Sequence, residues 1–226
     1  MIIAERKPLE EIKEMIENYS KIIIVGCGTC VAVCMAGGEK EVGILATMLR
    51  MAFKKEGKEI EIDELTLERQ CDKEFILPFE NKLTQYEAIV STACGVGVQF
   101  LAEVLEGKRV FPALNTRFLG SNEGEGIWKE RCRACGNCIL AETGGICPIS
   151  ICPKGLLNGP CGGTNNGKCE VDKEKDCAWT LIYKRLEKLG AVDNIRKIFP
   201  PKKYSIQTHP AILIHEAYKG DENGKE

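Results

Sequence analysis

The chain has 226 residues and a mass of 25.0 kDa, room for one large domain or two small ones with a core of their own. Hydrophobic residues at 44% and charged residues at 28% exclude wholesale disorder and fibrous repeats. Thirty-one Lys and Arg against 33 Asp and Glu leave a net charge of -2, the wrong balance for a nucleic-acid binder. No uninterrupted apolar window of about 18 residues occurs, and the first residues are charged where an export signal needs an apolar stretch. The expectation is a cytoplasmic protein with neither a membrane span nor a nucleic-acid partner.

In chain order, Leu9, Ile12, Ile16 and Tyr19 recur at helical spacing, and the apolar run from Ile22 to Val25 reads as a strand that ends at glycine. After Gly37 and Gly38 comes a helical pattern through Ile44, Leu45, Met48, Leu49 and Ala52. Ile60 to Leu65 then alternates apolar and acidic residues like a half-exposed strand. Ala88 to Thr92 reads as a third strand, Val98 to Leu105 as the helix after it, and Val110 to Leu114 as a fourth strand. Strands alternating with helices predict an α/β fold, a flavodoxin- or Rossmann-like parallel sheet with crossover helices. The glycine-rich stretch Gly120 to Gly126 marks the expected boundary. Residues 1–130 carry 16 basic and 22 acidic side chains, net -6, and residues 131–226 carry 15 and 11, net +4. The expected domains are 1–122, a loop-rich cysteine module at 123–199 with a helix through Trp179, Ile182, Tyr183, Leu186 and Leu189, and a C-terminal arm at 200–226.

Thirteen cysteines without an export signal read as metal ligands or catalytic thiols before disulfides. The two histidines, His209 and His215, stand far from most of them, so coordination is expected to be all-thiolate, which suits zinc or iron-sulfur clusters. In a parallel sheet the ends of successive strands share one edge, where doubly wound folds bind ligands. Cys27 follows the first strand, Cys71 the second and Cys94 the third. Cys27, Cys30 and Cys34 are spaced to line one face of a helix, if a helix begins there; Cys34 is the weakest candidate because it sits deepest in that helix. Loops such as Gly95 to Gly97 are expected to donate backbone N–H bonds to sulfur. Buried core cysteines are the plain alternative. A thiol-redox pair in Cys27-Gly28-Thr29-Cys30 is another. The full G-x-G-x-x-G of a dinucleotide site is absent.

The second half opens with Cys132, Cys135 and Cys138, separated by two residues each, the three-thiolate part of a ferredoxin run. Cys147-Pro148, Cys152-Pro153, Cys161, Cys169 and Cys177 follow at irregular spacings. Eight thiols are enough for two four-coordinate sites, yet no second ferredoxin run exists. One cluster is favoured here, with a zinc or structural role left for the remaining thiols. Gly155 to Gly167 has few apolar residues, so coordination would have to supply much of its order.

The segments Gly136-Asn137-Cys138, Thr143-Gly144-Gly145-Ile146-Cys147-Pro148, Cys152-Pro153-Lys154-Gly155, Asn158-Gly159-Pro160-Cys161-Gly162-Gly163 and Cys169-Glu170-Val171 resemble the cysteine-rich module of bacterial methylenetetrahydrofolate reductases. The whole chain is similar in order and length to the small subunit of the acetogen-type enzyme. The distinctive match covers about residues 131–189. The resemblance implies an iron-sulfur subunit, non-catalytic itself, bound to a MetF-type TIM barrel that carries flavin and folate. It also implies 4Fe-4S clusters, one to three with two as the central expectation, and zinc as an addition or alternative. Electrons would pass between an external donor, such as a further iron-sulfur or flavin subunit, and the partner's flavin. Its implied ligands are the matching cysteines, with iron and zinc not apportioned among them. The alternative is a zinc-stabilised scaffold of the same complex.

Overall fold

Ile22, Ile23, Ile24 and Val25 put an apolar side chain on both faces of one strand, which demands cover on both sides. The computed structural model, which describes residues 1–203, 211–215 and 217, supplies that cover. The chain divides into two compact units, Met1–Arg131 and Cys132–Glu226. The first runs β1 (Ile2–Arg6), α1 (Leu9–Ile16), β2 (Lys21–Cys27), α2 (Cys30–Val33), α3 (Glu39–Lys55), β3 (Glu61–Leu67), α4 (Lys73–Ile76), α5 (Glu80–Leu83), β4 (Ala88–Ser91), α6 (Gly95–Val104), β5 (Arg109–Pro112), β6 (Leu114–Gly124) and β7 (Ile127–Cys132).

Four strands form a parallel sheet in the order β3-β2-β4-β5. Ile22 and Ile24 point to one face and pack with Ile12 and Ile16 of α1 and Leu45 and Leu49 of α3. Ile23 and Val25 point to the other, against Ile76, Leu83 and Leu101. All four β2 side chains are fully buried, each contributing about 1.5–3 kcal/mol of hydrophobic free energy. Acidic Glu39 and Glu41 open α3, Lys54 and Lys55 close it, and the signs match the helix dipole. Glu41 also accepts the Gly38 N–H at 3.1 Å. The alternating β3 lies at the sheet edge, as its half-polar pattern requires.

A second sheet, β1-β6-β7, has no counterpart in the sequence reading. In it β1 runs antiparallel to β6, from Ile2 opposite Leu119 to Arg6 opposite Leu114. The glycine-rich stretch Gly120 to Gly126 lies in the β6–β7 hairpin, with left-handed backbone at Gly126, and the first unit continues to Arg131.

The second unit contains α7 (Pro148–Ile151), α8 (Ala178–Lys188) and a 3₁₀ turn at Val192–Arg196. Trp179, Ile182 and Leu186 make one buried stripe of α8, covered by Ile146, Leu156, Ala191 and Ile195. Tyr183 lies off that stripe and is exposed. Residues 211–215 of the expected arm are exposed; the rest of 204–226 apart from 217, His209 included, lies outside the described residues. Among the described residues no helix is long and apolar enough to cross a membrane.

Candidate functional site

The chain leaves β2 toward β3 on one side and returns to β4 on the other, so the sheet's switch point lies between the ends of β2 and β4. Cys27 is the last residue of β2. Its N–H donates to Gly37 O at 3.0 Å, and its Sγ lies 3.6 Å from Thr29 Oγ1. Cys94 occupies the N-cap position of α6. Cys71 lies four residues past β3. Burial pushes the Cys71 thiol up, Cys27 and Cys94 push it further, and Arg69 opposes them. The Cys71 thiol is thus within range of the charge of both other strand-end thiols.

Buried polar bonds hold those ends together. Gln70 Nε2 donates to Val25 O at 2.9 Å and Gly26 O at 3.0 Å, and its Oε1 accepts the Ser91 hydroxyl at 2.7 Å. Thr92 Oγ1 donates to Gly37 O at 2.8 Å. Neither Gln70 nor this use of Thr92 carries a periodic or motif signal in the sequence.

The expected helix through Cys27, Cys30 and Cys34 does not form. Only Cys30 to Val33 are helical, because Met35 takes a left-handed turn at φ 53° and the N–H groups of Ala36 and Gly37 both fold back onto Val31 O. Cys34 is consequently a core residue. It is 5% exposed, its Sγ meets Ala4 O at 3.5 Å and Val31 O at 3.6 Å, and burial pushes its thiol up. Cys30, at the start of α2, is half-buried, and its charge adds to the upward push on Cys34. The Gly95 N–H, expected to bond sulfur, donates instead to Thr116 Oγ1 at 2.8 Å.

In the second unit the loop through Cys132, Cys135 and Cys138 takes left-handed backbone at Ala134 (φ 49°) and Gly136 (φ 75°). The Ala134 N–H donates to Cys132 Sγ at 3.3 Å. Cys135 Sγ donates to Asn137 O at 3.6 Å. Cys147 and Cys152 bracket α7. Cys152, Cys161, Cys169 and Cys177 line one cavity of about 20 Å³, together with Leu156 and Trp179. Trp179 Nε1 donates to Leu156 O at 3.0 Å and fixes that wall. Burial pushes the Cys177 thiol up, but bonds from Thr180 backbone and hydroxyl, the Thr164 hydroxyl and the Trp179 backbone outweigh it, and the net shift is downward. That is the direction a ligating thiolate needs.

Among the described residues no three Cys, His, Asp or Glu side chains are drawn around a single-ion position. The donor chemistry nevertheless fits a sulfur-bound group, since each cysteine set is all-thiol. Two buried side-chain donors, Arg69 Nε and Trp128 Nε1, also have no hydrogen-bond partner. Trp128 packs on the cluster that contains Cys27 and Cys34 and that Cys94 borders, and Arg69 acts on Cys71. His215 is exposed and its Nδ1 accepts the Ala217 N–H at 3.2 Å, which gives no support to a mixed Cys/His site.

The first unit thus carries Cys27, Cys71 and Cys94 at or just past its parallel strands, and the second is a loop-rich unit with eight further cysteines. Residues 111–205 match the family model described as methylene-tetrahydrofolate reductase C terminal, so the chain carries a module related to that reductase. Neither a curated protein nor a solved structure matches the chain.

Proposed function

We propose that the protein is an iron-sulfur electron-transfer subunit of a methylenetetrahydrofolate reductase complex, of the MetV type, which passes electrons between an external donor and the flavin of a MetF-type partner. The observation that carries this reading is the pairing of the reductase-related module with thiols from three strand ends at the switch point. Cys27, Cys30, Cys71 and Cys94 would hold one 4Fe-4S cluster. Cys132, Cys135 and Cys138 would hold a second, with Cys147 as the candidate fourth ligand by order in the chain. The four thiols around the 20 Å³ cavity, space for about one water-sized guest, favour a single zinc ion over a four-iron core.

When bound, such clusters supply one-electron storage and relay. The chain's own residues fix the ligand loops through Gln70 and Thr92, insulate Cys27 among apolar side chains, and turn the Ala134 N–H toward Cys132 sulfur.

Anaerobically purified protein should contain iron, acid-labile sulfide and zinc together. Cys135→Ala should remove the iron and sulfide of one cluster and slow reduction of the partner's flavin. Zinc with neither labile sulfide nor a visible chromophore establishes the scaffold reading instead. Full iron content and unaltered flavin reduction in Cys135→Ala removes that residue from the ligand set.

A further inference from the structure

Among the described residues, two buried side-chain nitrogens have no hydrogen-bond partner, Trp128 Nε1 and Arg69 Nε. Leaving such a donor unsatisfied is costly, so each calls for an explanation. Both belong to the surroundings of the same cysteines. Trp128, on β7, packs against the cluster formed by Cys27, Val31, Cys34, Ala93 and Leu114, which Cys94 also borders. Arg69 stands two residues before Cys71 and directly before Gln70, whose amide bonds Val25 O and Gly26 O at the end of β2.

The other parts of Arg69 have occupations. Its terminal nitrogen donates to Glu68 Oε1 at 3.2 Å, and its guanidinium lies over the Phe75 ring at 4.9 Å. Its buried Nε–H has no partner. The Cys34 sulfur is already engaged with Ala4 O and Val31 O, so it does not answer for Trp128.

Thiolate and inorganic sulfide are the acceptors that a cluster would bring to this edge. We infer that Trp128 Nε1–H and Arg69 Nε–H donate N–H···S bonds to the iron-sulfur group held by Cys27, Cys30, Cys71 and Cys94, and thereby raise its reduction potential. The inference rests on the cluster assignment proposed above. Reduction adds negative charge to the sulfur, and a donor or a positive charge beside it favours the reduced form. The two residues are positioning and tuning groups, and neither supplies a ligand to iron.

The full chain, purified anaerobically, tests this with Trp128→Phe, which keeps an aromatic ring and deletes the N–H. Arg69→Lys keeps the charge at a partly exposed position and deletes the Nε–H. Redox titration followed by electron paramagnetic resonance should show the sheet-edge cluster harder to reduce in Trp128→Phe. The expected change is about tenfold in the equilibrium, or about 59 mV for one electron. Arg69→Lys should shift the same signal in the same direction, and the Cys132 cluster should not move. In D₂O the exchangeable deuteron coupled to the sheet-edge cluster should weaken in each variant. Unchanged potentials and couplings at full iron content in both variants overturn the inference and leave the cluster assignment standing. A separate measurement covers that assignment: if Cys71→Ala keeps all its iron and sulfide, no cluster of these four cysteines exists, and the inference falls with it.

Discussion

A glutamine side chain offers two donor hydrogens and an acceptor oxygen, and Gln70 directs all of them into the strand ends around the switch point. Its amide bonds two consecutive carbonyls at the end of β2, while its oxygen receives the Ser91 hydroxyl from β4. Ser91 Oγ in turn accepts the Ala93 N–H at 3.2 Å, and Cys94 is the next residue. The loop that carries Cys71 is thereby tied to the strands that precede Cys27 and Cys94. Gln70 is fully buried, so Gln70→Ala leaves a cavity and strands the Ser91 hydroxyl. The expected loss is about 3 kcal/mol. Gln85→Ala, at an exposed site, should change stability by less than about 0.5 kcal/mol. Urea unfolding followed by tryptophan fluorescence compares them, and equal midpoints would contradict the tie. A lone polar residue just past a strand has no sequence period, which is why Gln70 could not be read beforehand. The cysteines it serves could, because their residue type alone narrows the chemistry.

Elements whose cover is local in pattern were legible: the all-apolar β2, the half-polar β3 and the centres of the α3 and α8 stripes at Leu45, Leu49, Trp179, Ile182 and Leu186, while Ile44, Met48, Tyr183 and Leu189 of the expected stripes are exposed. The β1-β6-β7 sheet was not, because Ile2 pairs with Leu119 across most of the first unit and β6 mixes polar and apolar residues. The short α2 was misread for a related reason. The spacing of Cys27, Cys30 and Cys34 is helical, but the turn after Val33 is set by contacts to β4. Gly37 is the contact point: an added Cβ would stand 1.9 Å from Thr92 O, while its own carbonyl accepts both the Cys27 N–H and the Thr92 hydroxyl. Gly37→Ala should therefore cost about 1–3 kcal/mol by overpacking and loosen iron at the sheet edge. Gly43 lies inside α3, where a new Cβ meets only Glu64 Oε2 at 3.4 Å. Gly43→Ala should stabilise by up to about 1 kcal/mol through helix propensity. Thermal midpoints of opposite sign support this account of the turn; a Gly37→Ala chain as stable as the parent refutes it.

At the scale of the whole molecule, the two units differ in how much apolar surface they bury. The first unit buries two aliphatic layers against its parallel sheet, enough to fold on hydrophobic burial. The second unit has three buried side chains, Trp179, Ile182 and Leu186, at the centre of its apolar cluster, and most of 132–177 is turn and loop. A segment with so small a core needs staples, and its free cysteines are the groups able to provide them through metal. Ligand binding there is folding free energy. Stripping zinc and iron anaerobically from the full chain should therefore expose the amides of residues 152–188 to hydrogen exchange, while β2 and β4 stay protected. The amides of 132–147 should follow once cluster iron is lost. Mass spectrometry of exchanged peptides reads both regions in one sample. Protection that persists across 132–188 after metal analysis finds no zinc or iron would mean that this unit folds by its small apolar cluster alone, and that its eight cysteines are not structural ligands.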